Sequence, residues 1–70
     1  MQRKPVNSSN ILSIGYDQKN KILEIEFKNN AVWHYSPVEF SVFDGLKNAM
    51  SVGKYFFAHI RGKYSESRIS

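Results

Sequence analysis

Leu23-Glu24-Ile25-Glu26-Phe27-Lys28, then Asn29-Asn30, then Ala31-Val32-Trp33-His34-Tyr35 reads as two strands joined by a tight turn. Three apolar residues alternate strictly with two glutamates and a lysine. Side chains switch face at every residue of a strand, so one face of this segment is apolar and the other charged. Asparagine tolerates positive φ, which suits Asn29-Asn30 to a hairpin.

The turn admits two registers. With a two-residue turn, Phe27 opposes Val32, and Trp33 and Tyr35 share the face of Glu24 and Glu26, open to solvent as a stacking platform or an oligomer contact. With a three-residue loop, Lys28 to Asn30 with Asn30 left-handed, Ala31 opposes Phe27 and both aromatics turn inward beside Leu23 and Ile25. Ala31, Trp33 and Tyr35 are a more apolar set than Val32 and His34, which favours the inward register.

Upstream, Leu12, Ile14 and Tyr16 alternate with Ser13 and Gly15, giving another strand from Asn10 to Asp17 ahead of the polar turn Asp17-Gln18-Lys19-Asn20. Residues 1 to 8 are polar, basic and without periodicity, an arm that is flexible unless it docks. Downstream, Ser36-Pro37-Val38-Glu39 combines an N-cap serine, a first-turn proline and a glutamate at N3, a capping box, with Tyr35 and Phe40 placed to form a hydrophobic staple. The helix it opens is expected to run to about Met50, with Val42, Phe43, Leu46, Ala49 and Met50 as its apolar stripe. Ser51 can cap a second helix whose inner face is Val52, Phe56 and Ile60, and Gly62 should stop it. The expected fold is α+β: a three-stranded antiparallel meander followed by two helices packed on one face. It forms a single domain over residues 9 to 64 with a polar tail from 65 to 70.

The 70 residues allow one domain, and a chain this small benefits from a staple or from self-association. No cysteine is present, and the two histidines lie far apart in sequence, so disulfide and metal staples are not expected. The absence of cysteine favours a reducing, cytoplasmic address. No apolar run approaches the roughly 18 residues that span a bilayer, nor does the basic start precede an apolar stretch, so neither membrane anchor nor signal peptide is expected. Ten Lys+Arg against six Asp+Glu give a net charge of +4, a mild excess that favours encounters with phosphate polymers or acidic proteins.

Little points to catalysis. His34 and His59, the usual kind of general base, sit in no recognisable motif. Glu24 and Glu26 share a strand face roughly 7 Å apart, but charges alternating beside Lys28 are what a solvated face carries. Asp17 and Asp44 fit a turn and an outer helix face. Ser51-Val52-Gly53-Lys54 lacks the glycine spacing of a phosphate loop. The notable cluster is Lys54, Tyr55, His59, Arg61, Lys63, Tyr64 and Arg68, cations interleaved with aromatics. It suits a phosphate backbone with bases stacked on tyrosine rings, and equally a solvated helix face running into a frayed end.

Ser9-Asn10-Ile11, Ile14-Gly15-Tyr16-Asp17, Leu23 to Phe27, Trp33-His34-Tyr35, Ser51-Val52-Gly53-Lys54-Tyr55-Phe56 and Ile60-Arg61-Gly62-Lys63-Tyr64 together resemble the KTSC domain, from about Ser8 to Tyr64. That family comprises small stand-alone bacterial and phage proteins and a C-terminal appendage of some lysyl-tRNA synthetases, a context that implies RNA binding. The family's central Tyr-x-Tyr stands here as Trp33-His34-Tyr35, which removes one hydroxyl, and Asn30 replaces a common glycine. The resemblance implies neither a catalytic residue nor a cofactor.

Two functions are therefore expected of a non-enzymatic module. One is binding RNA or another polyanion through Lys54, Arg61, Lys63, Tyr64 and Arg68. The other is a homo-oligomeric interaction module that uses an open sheet face or edge strand, which in a phage-encoded chain would act on a host protein or a small nucleotide. Hydrolytic or transfer chemistry would need a pocket joining His34 or His59 to a carboxylate.

Overall fold

The computed structural model describes all 70 residues. Its strands are β1 (Arg3–Pro5), β2 (Ile11–Asp17), β3 (Ile22–Phe27), β4 (Val32–Ser36) and, after the helices α1 (Phe40–Lys47) and α2 (Val52–His59), β5 (Ser65–Arg68). They form one antiparallel sheet in the order β1-β2-β3-β4-β5. The central meander is the one read from the sequence, but the sheet has five strands rather than three. The arm docks as β1, and the tail returns beside β4 as β5. Every residue of both edge strands is exposed, so backbone pairing rather than burial holds them, and apolar periodicity cannot announce a strand that buries nothing.

The hairpin takes the three-residue loop. Asn30 has φ 71°, its N–H donates to the Phe27 carbonyl at 2.9 Å, and the Phe27 N–H donates to Ala31 O at 2.9 Å. Asn29 Oδ1 accepts from the Ala31 N–H at 3.0 Å. Ile25 therefore faces Trp33 and Leu23 faces Tyr35, which turns both aromatics toward the helices.

In β2 the register slips between Ile11 and Ser13. Leu12 is the extra residue of this bulge, so it leaves the apolar face and is exposed, while Ile11 is fully buried in its stead. The core is Ile11, Ile14, Leu23, Ile25 and Tyr35 from the sheet, with Val38, Leu46, Val52, Phe56 and Ile60 from the helical layer.

The expected capping box does not form. Ser36 is the last residue of β4, the Ser36-Pro37 peptide is cis, and α1 begins only at Phe40 behind Glu39, whose side chain makes no cap bond. Val38 explains the difference: it is fully buried, and its N–H donates to the Lys21 carbonyl at 2.8 Å, so Pro37 to Glu39 runs from sheet to helix as non-helical chain. Glu39 pairs with Lys21 at 3.0 Å instead. The staple is absent too, because Tyr35 meets Phe56 while Phe40 lies near Tyr16 and Phe43. The first helix ends at Lys47 and leaves Met50 fully exposed.

The second helix follows its sequence. Ser51 Oγ accepts from the Lys54 N–H at 3.3 Å, and Val52, Phe56 and Ile60 face the sheet and are buried, but the helix ends at His59 with Ile60 as its C-cap. Gly62, at φ +74°, a conformation glycine adopts without steric cost, belongs to the turn that follows rather than to the stop itself. No helix is long and apolar enough to cross a membrane.

Candidate functional site

Turning 100° per residue, a helix that aims Val52, Phe56 and Ile60 at the sheet places Tyr55 and His59 on one flank and Gly53 and Phe57 on the other. Of the seven residues grouped by sequence, Lys54, Tyr55 and His59 lie on this helix and the other four follow it. Tyr55 packs against Gly45 of α1, where a Cβ would overlap the Tyr55 ring, and its ring lies 4.5 Å from that of His59. Tyr55 is thus a helix-to-helix packing residue. Tyr64 is half-buried against the core. Lys54, Arg61, Lys63 and Arg68 are exposed, and none of them belongs to the chain's ion pairs. Their charges are available to an external anion.

Arg61 holds the other flank, its guanidinium 5.3 Å from the centre of the Phe57 ring, a cation–π distance. Phe57 itself is 65% exposed. Beneath this pair, α2 and the sheet enclose a cleft of about 280 Å³. Phe27, Trp33, Tyr35 and Phe56 form its apolar wall, Asn10 and Gly53 one end, and Arg61, Phe57 and Glu66 its rim. Phe56 meets Phe27 and Tyr35 edge-on, at 5.6 and 5.4 Å between ring centres.

Strand β5 carries Glu66 to this place, opposite Tyr35, and the Gly62 N–H donates to Glu66 Oε2 at 2.6 Å. Burial, seconded by the Glu66 charge and opposed by Arg61, pushes the Tyr35 phenol up to about 12. Tyr35 is therefore neutral at any physiological pH. A separate shallow cleft at the start of α2 is lined by Ser8, Asn10, Ser51, Gly53 and Lys54 among others.

The opposite sheet face is less open than its alternating charges imply. Arg3 crosses it from β1, with Nη1 2.6 Å from Glu24 Oε2 and Nη2 3.7 Å from Glu26 Oε1. His34 Nε2 lies 2.7 Å from Glu24 Oε1, and the Ser13 hydroxyl donates to Glu26 at 2.9 Å. The two glutamates keep only 14% and 22% of their side-chain exposure. Burial alone would raise the Glu24 carboxyl, but the hydrogen bonds from His34 and Arg3 and the charge of Arg3 hold it below the ordinary carboxylate value.

Gly15 makes the crossing possible, since a Cβ there would stand 2.7 Å from the Gln2 carbonyl and 3.0 Å from Arg3 Cγ. Here an imidazole does meet an acid, yet neither His34 nor Glu24 lines either cleft beside α2. Arg3, Glu66 and Phe57 are the residues that sequence reasoning missed: Arg3 and Glu66 lie on edge strands that carry no apolar pattern, and Phe57 stands in an apolar helix run beside the buried Phe56.

The KTSC domain profile matches residues 7–64. The chain belongs to the KTSC domain family. Across 99% of this chain and 97% of the other, the structure superposes on the crystal structure of a KTSC domain protein from Yersinia pestis with a TM-score of 0.96 and 40% identity. A Stutzerimonas stutzeri protein described only as uncharacterised is 39% identical over 56 residues, 80% of this chain and 79% of that one. A lysine–tRNA ligase of Nostoc punctiforme is 39% identical over 60 residues, 86% of this chain but only 11% of the ligase. The KTSC domain is therefore a small part of that enzyme. In this KTSC domain the central aromatic pair is a cleft wall: Trp33 is half-buried in it and Tyr35 closes its floor.

Proposed function

We propose that this KTSC domain is a non-catalytic, cytoplasmic module that binds single-stranded RNA or a similar polyanion on the face shared by α2 and β5. The observation that carries the reading is Arg61 standing over the exposed ring of Phe57, with Lys54, Lys63 and Arg68 as further cations without carboxylate partners. Free cations contact phosphates, and an exposed ring stacks a base. The Nostoc relative supports it from outside, because the larger protein is named for action on tRNA. The proposed contact set leaves out Tyr55, which packs on α1, and is to that extent smaller than the set read from the sequence.

Titration against mixed-sequence single-stranded RNA tests the reading. Four neutralised phosphates give a log–log salt slope of about −3, or roughly a fiftyfold loss of affinity between 50 and 200 mM salt. Affinity indifferent to salt would remove the proposal.

A second reading, self-association, draws on the edge strands. β1 is guarded by Lys4 and Pro5, whereas β5, Ser65-Glu66-Ser67-Arg68, has no proline and no bulge. Two copies paired antiparallel about Ser67 would set Glu66 of each against Arg68 of the other, opposite charges across a ladder. The mass in solution decides: a single-chain mass at the highest attainable concentration sinks this reading.

A further inference from the structure

Tyr35 is 3% exposed, and its hydroxyl takes part in none of the side-chain hydrogen bonds of the chain. Yet no fully buried side-chain oxygen lacks a partner. The hydroxyl therefore touches the accessible surface, and the surface it can reach is the cleft that Tyr35 lines. A residue buried by more than nine-tenths thus turns an unpartnered polar group into an aromatic-walled space. A hydroxyl that a buried ring carries to the wall of an open cleft is free to bond what the cleft receives.

The other polar groups of the cleft narrow the choice. Glu66 offers a carboxylate, whose oxygens serve the site as acceptors. Its Oε2 already takes the Gly62 N–H, which tethers the carboxylate at the cleft it lines and leaves it with lone pairs for a further donor. Arg61 at the rim supplies a positive charge beside Phe57. At about 280 Å³ the space falls just under the roughly 300–1,000 Å³ of pockets for drug-sized ligands, so it admits one flat ring system rather than a dinucleotide. A flat ligand with adjacent N–H donors on one edge and an anionic group at the mouth matches Glu66, the aromatic wall and Arg61 together. Among the standard bases, neutral guanine alone presents two neighbouring donors, its ring N–H and its amino group.

We propose that the cleft between α2 and the β4–β5 edge binds one unpaired guanine base, with its donor edge on Glu66, its plane against Trp33 or Phe57, and its phosphate near Arg61. The proposal rests on the RNA-binding reading only for the source of the base, which is either a free nucleotide or an RNA strand.

Trp33 is the single tryptophan of the chain and lines the cleft, so its fluorescence reports occupancy. The test titrates the full chain with GMP, AMP, CMP and UMP, and with a short single-stranded RNA carrying one guanosine or adenosine in its place. The expected result is saturable quenching by GMP, with GMP preferred over AMP by about fivefold or more. Glu66→Gln, which can still accept the Gly62 N–H, should erase the preference. Phe57→Ala, at an exposed position, should weaken GMP by about fivefold or more if the base stacks there, and Trp33 quenching should persist in reduced form if it stacks on Trp33 instead. Melting curves confirm that both variants stay folded.

Quenching by none of the nucleotides and neither RNA overturns the proposal, as does GMP binding that Glu66→Gln and Phe57→Ala leave unaltered. RNA that binds with a steep salt slope, indifferent to both substitutions, overturns the cleft assignment while the polyanion reading stands. GMP that binds as expected while both RNAs fail upholds the cleft with a free nucleotide as its ligand, and it is then the RNA reading that falls.

Discussion

Arg3 Nη1 and Glu24 Oε2 stand 2.6 Å apart across 21 residues of sequence, and this contact fastens the N-terminal arm to the middle of the sheet. Glu24 is mostly covered, at 14% side-chain exposure, so removing the guanidinium leaves a carboxylate that is desolvated and half-satisfied by His34 alone. Arg3→Ala is expected to cost about 1 kcal/mol, the low end for such a loss because Arg3 itself is 31% exposed. In a domain of this size that is a drop of roughly 4–8 °C in melting temperature. Hydrogen exchange at the β1-facing amides of β2 should speed up beyond the global change, and unchanged protection there would mean that the arm is held without Arg3.

The same carboxyl gives the acid limb of the stability curve a definite sign. Its folded pKa lies below the unfolded value of 4.5 because the bonds from His34 and Arg3 outweigh its burial. Its contribution is thus complete above pH 4.5 and is lost as pH falls through the folded value. Asp17, lowered by its bonds to Asn20, acts in the same direction. Urea denaturation from pH 6 downward should show a shallower decline below about pH 4.5 in Glu24→Gln than in the parent, and parallel curves would detach the acid limb from Glu24.

At the alkaline end Tyr35 governs. Burial first, and the Glu66 charge second, raise its phenol from 10.0 to about 12. Between those values the unfolded chain has lost the proton and the folded chain keeps it, so stability falls as pH rises through the interval. Tyr35→Phe keeps the ring against Phe56 and removes the ionisable group. It should match the parent at pH 7 and lose less stability between pH 10 and about 12. A variant whose alkaline decline equals the parent's would assign that decline to other groups, Tyr16 foremost, which burial also raises.

The central meander was legible because Leu23, Ile25 and Phe27 write their face in a strict period of two. The direction of Trp33 and Tyr35 turned on a single φ, that of Asn30, which residue type permits without dictating. Ser36 to Glu39 spells a helix start, yet Val38 gains more by full burial than the motif gains by closing, and a tertiary contact overrode a local signal. The cluster from Lys54 to Arg68 was visible as composition, but the packing of Tyr55 on α1 and the place of Arg61 over Phe57 depend on how the helix and the turn after it sit on the sheet. Glu66 and Arg3 could not be foreseen, because their strands bury no side chain and are defined by what they pair with.

Gly45 and Tyr55 test that division most directly. An alanine at 45 brings its Cβ into the Tyr55 ring, so the ring must leave α1 and give up its place beside His59. Against this stands a gain of about 1 kcal/mol, the helix propensity of alanine over glycine. Gly45→Ala should be neutral or destabilising in the parent and stabilising by about 1 kcal/mol in a Tyr55→Ala background. A coupling of about 1 kcal/mol in the double-mutant cycle is within the range for residues in contact, and additivity would show that the two do not pack. RNA affinity supplies the second readout: Tyr55→Ala should leave it nearly unchanged while Arg61→Ala weakens it and flattens its salt slope by about 0.7, the share of one phosphate. The reverse pattern would return Tyr55 to the binding surface and remove Arg61 from it.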